Sequence, residues 1–140
     1  MELVELGSLS SPRLVLGKPR RGDDGELWWV PVTLELDGLK AEKTVNAHYA
    51  TCFDELIGYL EDLAANWSGW DGTKGYESLE HDLVLKARHD GYGHVAIQVT
   101  LSKMDGSADE WECTGRVTTE PGAQMAEVAE SARQLLARFP

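Results

Sequence analysis

The chain predicts an α+β fold with about seven antiparallel strands and two amphipathic helices in the order ββββ-α-βββ-α. Three observations carry this. Period-two hydrophobic runs cluster before residue 50 and again between residues 76 and 120; a period-3.6 segment follows each cluster; and the strands within a cluster are joined by short Gly, Asp and Ser turns. Segregated runs of this kind give antiparallel sheets, whereas alternating strand and helix would give βαβ units.

Residues 2–6 and 13–18 are short apolar-polar runs around Gly7, Ser8, Ser10, Ser11 and Pro12, and read as two brief strands joined by a loop. Residues 19–26 form a polar loop. Its Arg21-Gly22-Asp23 matches an adhesion tripeptide of secreted proteins, but three residues recur by chance.

Residues 27–37 alternate, with Trp28, Val30, Val32, Leu34 and Leu36 facing inward and Trp29, Pro31, Thr33 and Glu35 facing away. Asp37-Gly38 fits a two-residue type I′ turn into a partner strand over residues 39–49. That turn sets Leu36 opposite Leu39, Leu34 opposite Ala41, Val32 opposite Lys43, Val30 opposite Val45 and Trp28 opposite Ala47. Lys43 is the one charge in the inward row. Pro31 lacks an N–H, so pairing is interrupted on one side of its strand.

Residues 51–67 change period: Phe53, Leu56, Ile57, Leu60, Leu63, Ala64 and Trp67 form one helical stripe. Thr51 is the expected cap, with Asp54 and Glu55 in the first turn. Asp54, Glu55, Tyr59, Glu61 and Asp62 share the opposite side, which reads first as solvated surface and second as a partner-binding face. Trp67 reads as core. Trp70, flanked by Gly69, Asp71 and Gly72, becomes a natural interface anchor if exposed.

Residues 76–88 read as one strand with Leu79, His81, Leu83, Leu85 and Ala87 on one face and Ser78, Glu80, Asp82, Val84 and Lys86 on the other. Residues 94–103 and 110–120 complete a meander through turns at residues 89–93 and at Asp105-Gly106. Pro121 suits a first helical turn. Met125, Val128, Ala129, Ala132, Leu135, Leu136 and Phe139 then make the second stripe, with Arg133 and Arg138 near its carboxyl end.

At 140 residues the chain has the length of one domain, spanning 1–140. Its 24 acidic and 13 basic side chains leave a net charge of -11, which repels phosphates, so a basic protein rather than nucleic acid is the expected partner. Cys52 and Cys113 lack metal-type spacing and are expected reduced and buried. The amino terminus carries acids where a signal peptide needs bases, and no apolar run reaches spanning length, so a cytoplasmic location without membrane association is expected.

Chemistry-bearing combinations are few. His89, Asp90 and His94 invite a metal hypothesis, but Asp and Gly populate such turns for backbone reasons and no fourth ligand follows at zinc spacing. Glu77, Glu80 and Asp82 could supply an acid/base pair, and equally could solvate one face of a strand. His48 and Cys52 are the nearest approach to a Cys/His pair. With no nucleophile elbow or phosphate loop, no catalytic residue, cofactor or metal is expected.

Trp67-Ser-Gly, an aromatic followed by Glu77-Ser78-Leu79-Glu80, Leu83-x-Leu85 and Asp90-x-x-Gly93-His94-Val95 together resemble small bacterial proteins of unknown function, some grouped with WapI-like immunity proteins of contact-dependent toxin systems. The likeness covers the middle and carboxyl-terminal half. It implies a non-enzymatic binding protein that neutralises a cognate toxin, here a basic one.

On that reading Asp54, Glu55, Glu61, Asp62, Trp70 and Asp71 are the expected contact residues, because residues 51–90 hold nine acidic and three basic side chains. The alternative is a small-ligand or glycan-binding module using Trp29 and Trp70 as exposed aromatics. A ligand screen read by tryptophan fluorescence separates the two.

Overall fold

Leu27–Leu36 is the strand on which the first sheet is built. The computed structural model describes residues 3–8, 10–105 and 108–138. Among these, nine strands and two helices follow in chain order: β1 (Val4–Gly7), β2 (Arg13–Leu16), β3 (Arg20–Arg21), β4 (Leu27–Leu36), β5 (Leu39–Asn46), α1 (Asp54–Ala65), β6 (Lys74–Glu77), β7 (Leu83–His89), β8 (Val95–Asp105), β9 (Ala108–Thr119) and α2 (Ala123–Leu136). The α+β class and both helices are as the sequence predicts. The Asp105-Gly106 turn and Phe139 fall wholly or partly outside the described residues.

In the first sheet β5 covers one edge of β4, while β2 and β3 share the other and β1 extends β2. The hairpin register is the predicted one from Leu36↔Leu39 to Val30↔Val45. Pairing does break at Pro31: β2 takes Val32 to Glu35, β3 takes Leu27 and Trp29, and between them the Pro31 carbonyl accepts from the Gly17 N–H at 2.9 Å. The short β3 makes five strands before α1 where four were expected.

Trp28 turns outward, against expectation, and is 51% exposed. Arg20 opposes Trp29 and Arg21 opposes Leu27, so Trp28 is the extra residue of a bulge and Leu27 takes the inward position. The displaced indole lies over Gly22, with the Arg20 guanidinium 5.9 Å from its ring.

The second sheet has the order β6-β7-β8-β9. Here the predicted single strand over residues 76–88 is two strands with a tight turn between them. Ser78 Oγ donates to Asp82 Oδ1 at 2.6 Å and accepts from the Leu83 N–H at 2.9 Å, while His81 adopts a left-handed φ of 60°. Ser and Asp can close a turn on their own backbone, which overrides the alternation. In consequence Leu79 and His81 are exposed, and Ser78 and Asp82 are buried.

The two sheets and two helices share one core that includes Leu34, Leu56, Leu85, Ile97, Met125 and Leu136. Gly115 lies in the inward row of β9, where a Cβ would fall 2.5 Å from Leu36 Cδ2, so the sheets meet there at glycine distance. The core retains only an apolar gap of about 10 Å³ beside Leu16, Leu56 and Leu85. That is no more than one water-sized space.

Both helices carry their predicted stripes inward. Thr51 does not cap α1; the N-cap is Phe53 without a side-chain bond, and Thr51 Oγ1 donates instead to the Glu55 carboxylate at 2.7 and 2.8 Å. Pro121 stands ahead of α2, whose N-cap is Gly122. Trp67, expected in the core, is 62% exposed because α1 ends at Ala65, before its stripe reaches it. Cys52 and Cys113 are free thiols, half-buried and buried. No helix is long and apolar enough to cross a membrane among the described residues.

Candidate functional site

The end of β5, the loop leading into α1 and the strand β6 enclose a cleft of about 130 Å³ lined by Asn46, His48, Cys52, Glu55, Tyr76, Glu77 and Leu79. Its loop wall is closed by reciprocal backbone bonds between His48 and Cys52, both 3.0 Å, with Cys52 at φ 57°. His48 Nδ1 accepts the N–H groups of Ala50 and Thr51 at 3.0 and 3.3 Å. Neutral His48 therefore carries its proton on Nε2 and has no free acceptor nitrogen for the Cys52 thiol. Tyr49 stacks on His48 with centroids 4.4 Å apart and is 85% exposed.

Tyr76 forms the floor, 5.9 Å from the Tyr59 ring. Burial, followed by the carboxylates of Glu55 and Asp82, pushes the Tyr76 phenol well above its ordinary value of 10.0, so it stays a neutral O–H. Glu55 and Glu77 line the cleft with it, and Glu80 stands behind Asn46. Glu77 contacts His81 Nδ1 at 2.7 Å and Glu80 accepts from Asn46 Nδ2 at 2.8 Å. Among the described residues no lysine or arginine forms an ion pair with any of the three.

Residues 7–138 match the model described as a family of unknown function, DUF6228. The chain belongs to this family. No curated protein and no solved structure matches it.

In this DUF6228 chain the six expected contact residues separate. Asp54 and Glu55 lie exposed on the first turn of α1, and Glu55 reaches the cleft. Glu61 is held by Arg133 of α2 through Nε and Nη2, both at 2.7 Å, and that hydrogen bond holds its carboxyl below the ordinary value of 4.5. Asp62 pairs with Lys74 at 2.9 Å. Half of the expected acidic face is thus neutralised internally.

Trp70 is half-buried, donates Nε1–H to the Ala87 carbonyl at 3.3 Å and meets His89 edge-on at 5.4 Å, so it supports the loop rather than projecting as an anchor. Asp71 is exposed beside it. Trp29 is half-buried too, which removes the exposed pair assumed for glycan stacking.

His89, Asp90 and His94 do not converge on an ion. His89 accepts the Gly91 N–H on Nδ1 at 2.9 Å and lies 3.0 Å from the Trp67 carbonyl through Nε2, so both nitrogens are engaged. Among the described residues no group of three His, Cys, Asp or Glu is arranged to hold a metal.

Sequence reading did not single out Asn46 and Tyr76, and placed Glu77 and Glu80 within one long strand. The available signal was Ser78 and Asp82 four residues apart, a turn-forming pair inside an apparent alternation.

Proposed function

We propose that this chain is a non-enzymatic protein-binding module that captures a basic protein partner at the cleft between Asn46, Glu55 and Tyr76, in the manner of an immunity protein acting on a toxin in the cytoplasm. One observation carries the reading: among the described residues Glu55 and Glu77 of the cleft, and Glu80 on its wall residue Asn46, meet no lysine or arginine, while Glu61 and Asp62 are paired with Arg133 and Lys74. Three carboxylates and a neutral phenol suit a lysine or arginine side chain, and exposed Tyr49 and Leu79 supply apolar area beside it. The charge of -11 adds long-range attraction that raises the association rate of a cationic partner.

The test is co-expression with the product of the neighbouring reading frame, expected to be basic. Copurification that Glu55→Lys with Glu77→Lys abolishes supports the reading. A pair that fails to copurify, or that is indifferent to those changes, removes it.

A further inference from the structure

The outer face of the second sheet gathers three cations into two adjacent rows, with Glu77 and Glu112 on the rows to one side. The register sets Lys86, Gln98 and Arg116 in one row across β7, β8 and β9, and Arg88, Ala96 and Thr118 in the next. All three cations are exposed, and neither row contains an acid. Among the described residues most other lysines and arginines contact a carboxylate, a carbonyl or an indole ring. Lys18, Lys86, Arg88 and Arg116 do not, and three of these four share this face. In a chain with almost two acids per base, that segregation leaves a strip of three unpaired cations on this sheet face, bordered by Glu77 and Glu112.

We propose that this face docks an acidic protein segment. Residues two apart on a strand lie about 7 Å apart and strands about 4.8 Å, so Lys86, Arg88 and Arg116 form a triangle with edges of roughly 7–12 Å. Alternate carboxylates of an extended acidic peptide repeat at about the same 7 Å. Arginine accepts carboxylates bidentately, and Gln98 and Thr118 add neutral hydrogen-bonding groups between the charges. Single-stranded nucleic acid is the poorer fit. The two rows offer no aromatic for base stacking. The surface adjoins the acidic cleft at Glu77, which the register places one row from Lys86, but its three cations take no part in the cleft.

The test titrates the full-length chain with an octaglutamate peptide at low salt, read by backbone amide shifts. Shifts are expected around Lys86, Arg88, Gln98 and Arg116. The triple variant Lys86→Gln/Arg88→Gln/Arg116→Gln is expected to weaken binding by about tenfold or more, given three lost charge-assisted contacts, whereas Lys18→Gln, on the fourth unpaired cation, leaves it unchanged. The proposal is overturned if octaglutamate gives no shifts at this face, or if the triple variant binds it as tightly as the parent. It is equally overturned if a decathymidine oligonucleotide binds here more tightly than octaglutamate, or if the chain self-associates in a way the triple variant abolishes, making a second copy the occupant.

Discussion

Lys43 Nζ of β5 lies 3.1 Å from Asp82 Oδ2 in the β6–β7 turn, with the two side chains only 20% and 5% exposed. The one charge in the inward row of β5 is therefore answered by a buried carboxylate beside the other sheet, and Ser78 Oγ donates to the second carboxylate oxygen at 2.6 Å. The turn carrying Glu77 and Glu80 is fixed to β5 by this pair, which also fixes the rim of the cleft.

Removing the cation strands a buried carboxylate, whereas removing the carboxylate leaves Lys43 still donating to the Thr44 carbonyl at 3.0 Å. Lys43→Met is accordingly expected to cost about 3 kcal/mol and Asp82→Asn less, with the double variant costing less than the sum. Urea unfolding of the four proteins measures this. Strict additivity would mean that the pair is not coupled.

Gly7 closes the β1–β2 hairpin at φ 113°, and a Cβ there would sit 2.6 Å from the Pro12 carbonyl oxygen. Gly7→Ala combines backbone strain with a clash against main chain, and a loss of about 1–3 kcal/mol is expected. Equal denaturation midpoints for the two proteins would contradict it.

The Glu61–Arg133 pair joins the two helices and gives a pH dependence of known sign. The folded-state pKa of Glu61 is lowered, first by the hydrogen bond from Arg133. Its contribution is therefore complete above the ordinary value of 4.5 and is lost as pH falls through the lowered value. Arg133→Gln should therefore lower the melting temperature slightly at neutral pH, the pair being largely exposed, and leave it unchanged at the acid end where the pair no longer contributes, so that the acid limb is shallower. Glu61→Lys should lower the melting temperature by facing Arg133 with a like charge, and the swap with Arg133→Glu should recover it. Identical acid limbs for parent and Arg133→Gln would contradict the assignment.

Where one periodicity ran unopposed, sequence reading and structure agree: the Asp37-Gly38 hairpin, the apolar stripes of both helices and the β8–β9 ladder need only spacing and turn chemistry. The departures occur where a local hydrogen-bonding option competes with the pattern. Ser78 and Asp82 fold their own turn, which breaks an apparent strand and turns Leu79 and His81 outward. One bulge residue inverts Trp28. The candidate site was legible in its charge and not in its location, because sequence cannot show that Arg133 and Lys74 reach Glu61 and Asp62 while, among the described residues, Glu55, Glu77 and Glu80 meet no lysine or arginine. Trp67 and Trp70 exchange their expected roles for a similar reason, since the Ala87 carbonyl that receives the Trp70 indole comes from a strand seventeen residues away.

The carboxylates at the cleft should govern association with a cation and those already paired should not. Glu55→Gln with Glu77→Gln is expected to slow association with a decalysine peptide by about tenfold at low salt, whereas Asp62→Asn, which only releases Lys74, should change it little. Stopped-flow rates across a salt series measure both. Equal effects from the two sets would mean that only net charge matters.

The most direct measurement is the amide-shift footprint of decalysine on the full-length chain at low and physiological salt. Binding at the cleft predicts shifts at Asn46, His48, Glu55, Tyr76 and Leu79 that persist as salt rises, because contacts to the aromatic floor and to Leu79 are not screened by salt. Shifts centred on Glu61 and Asp62, or spread over the acidic surface and gone at physiological salt, would contradict it.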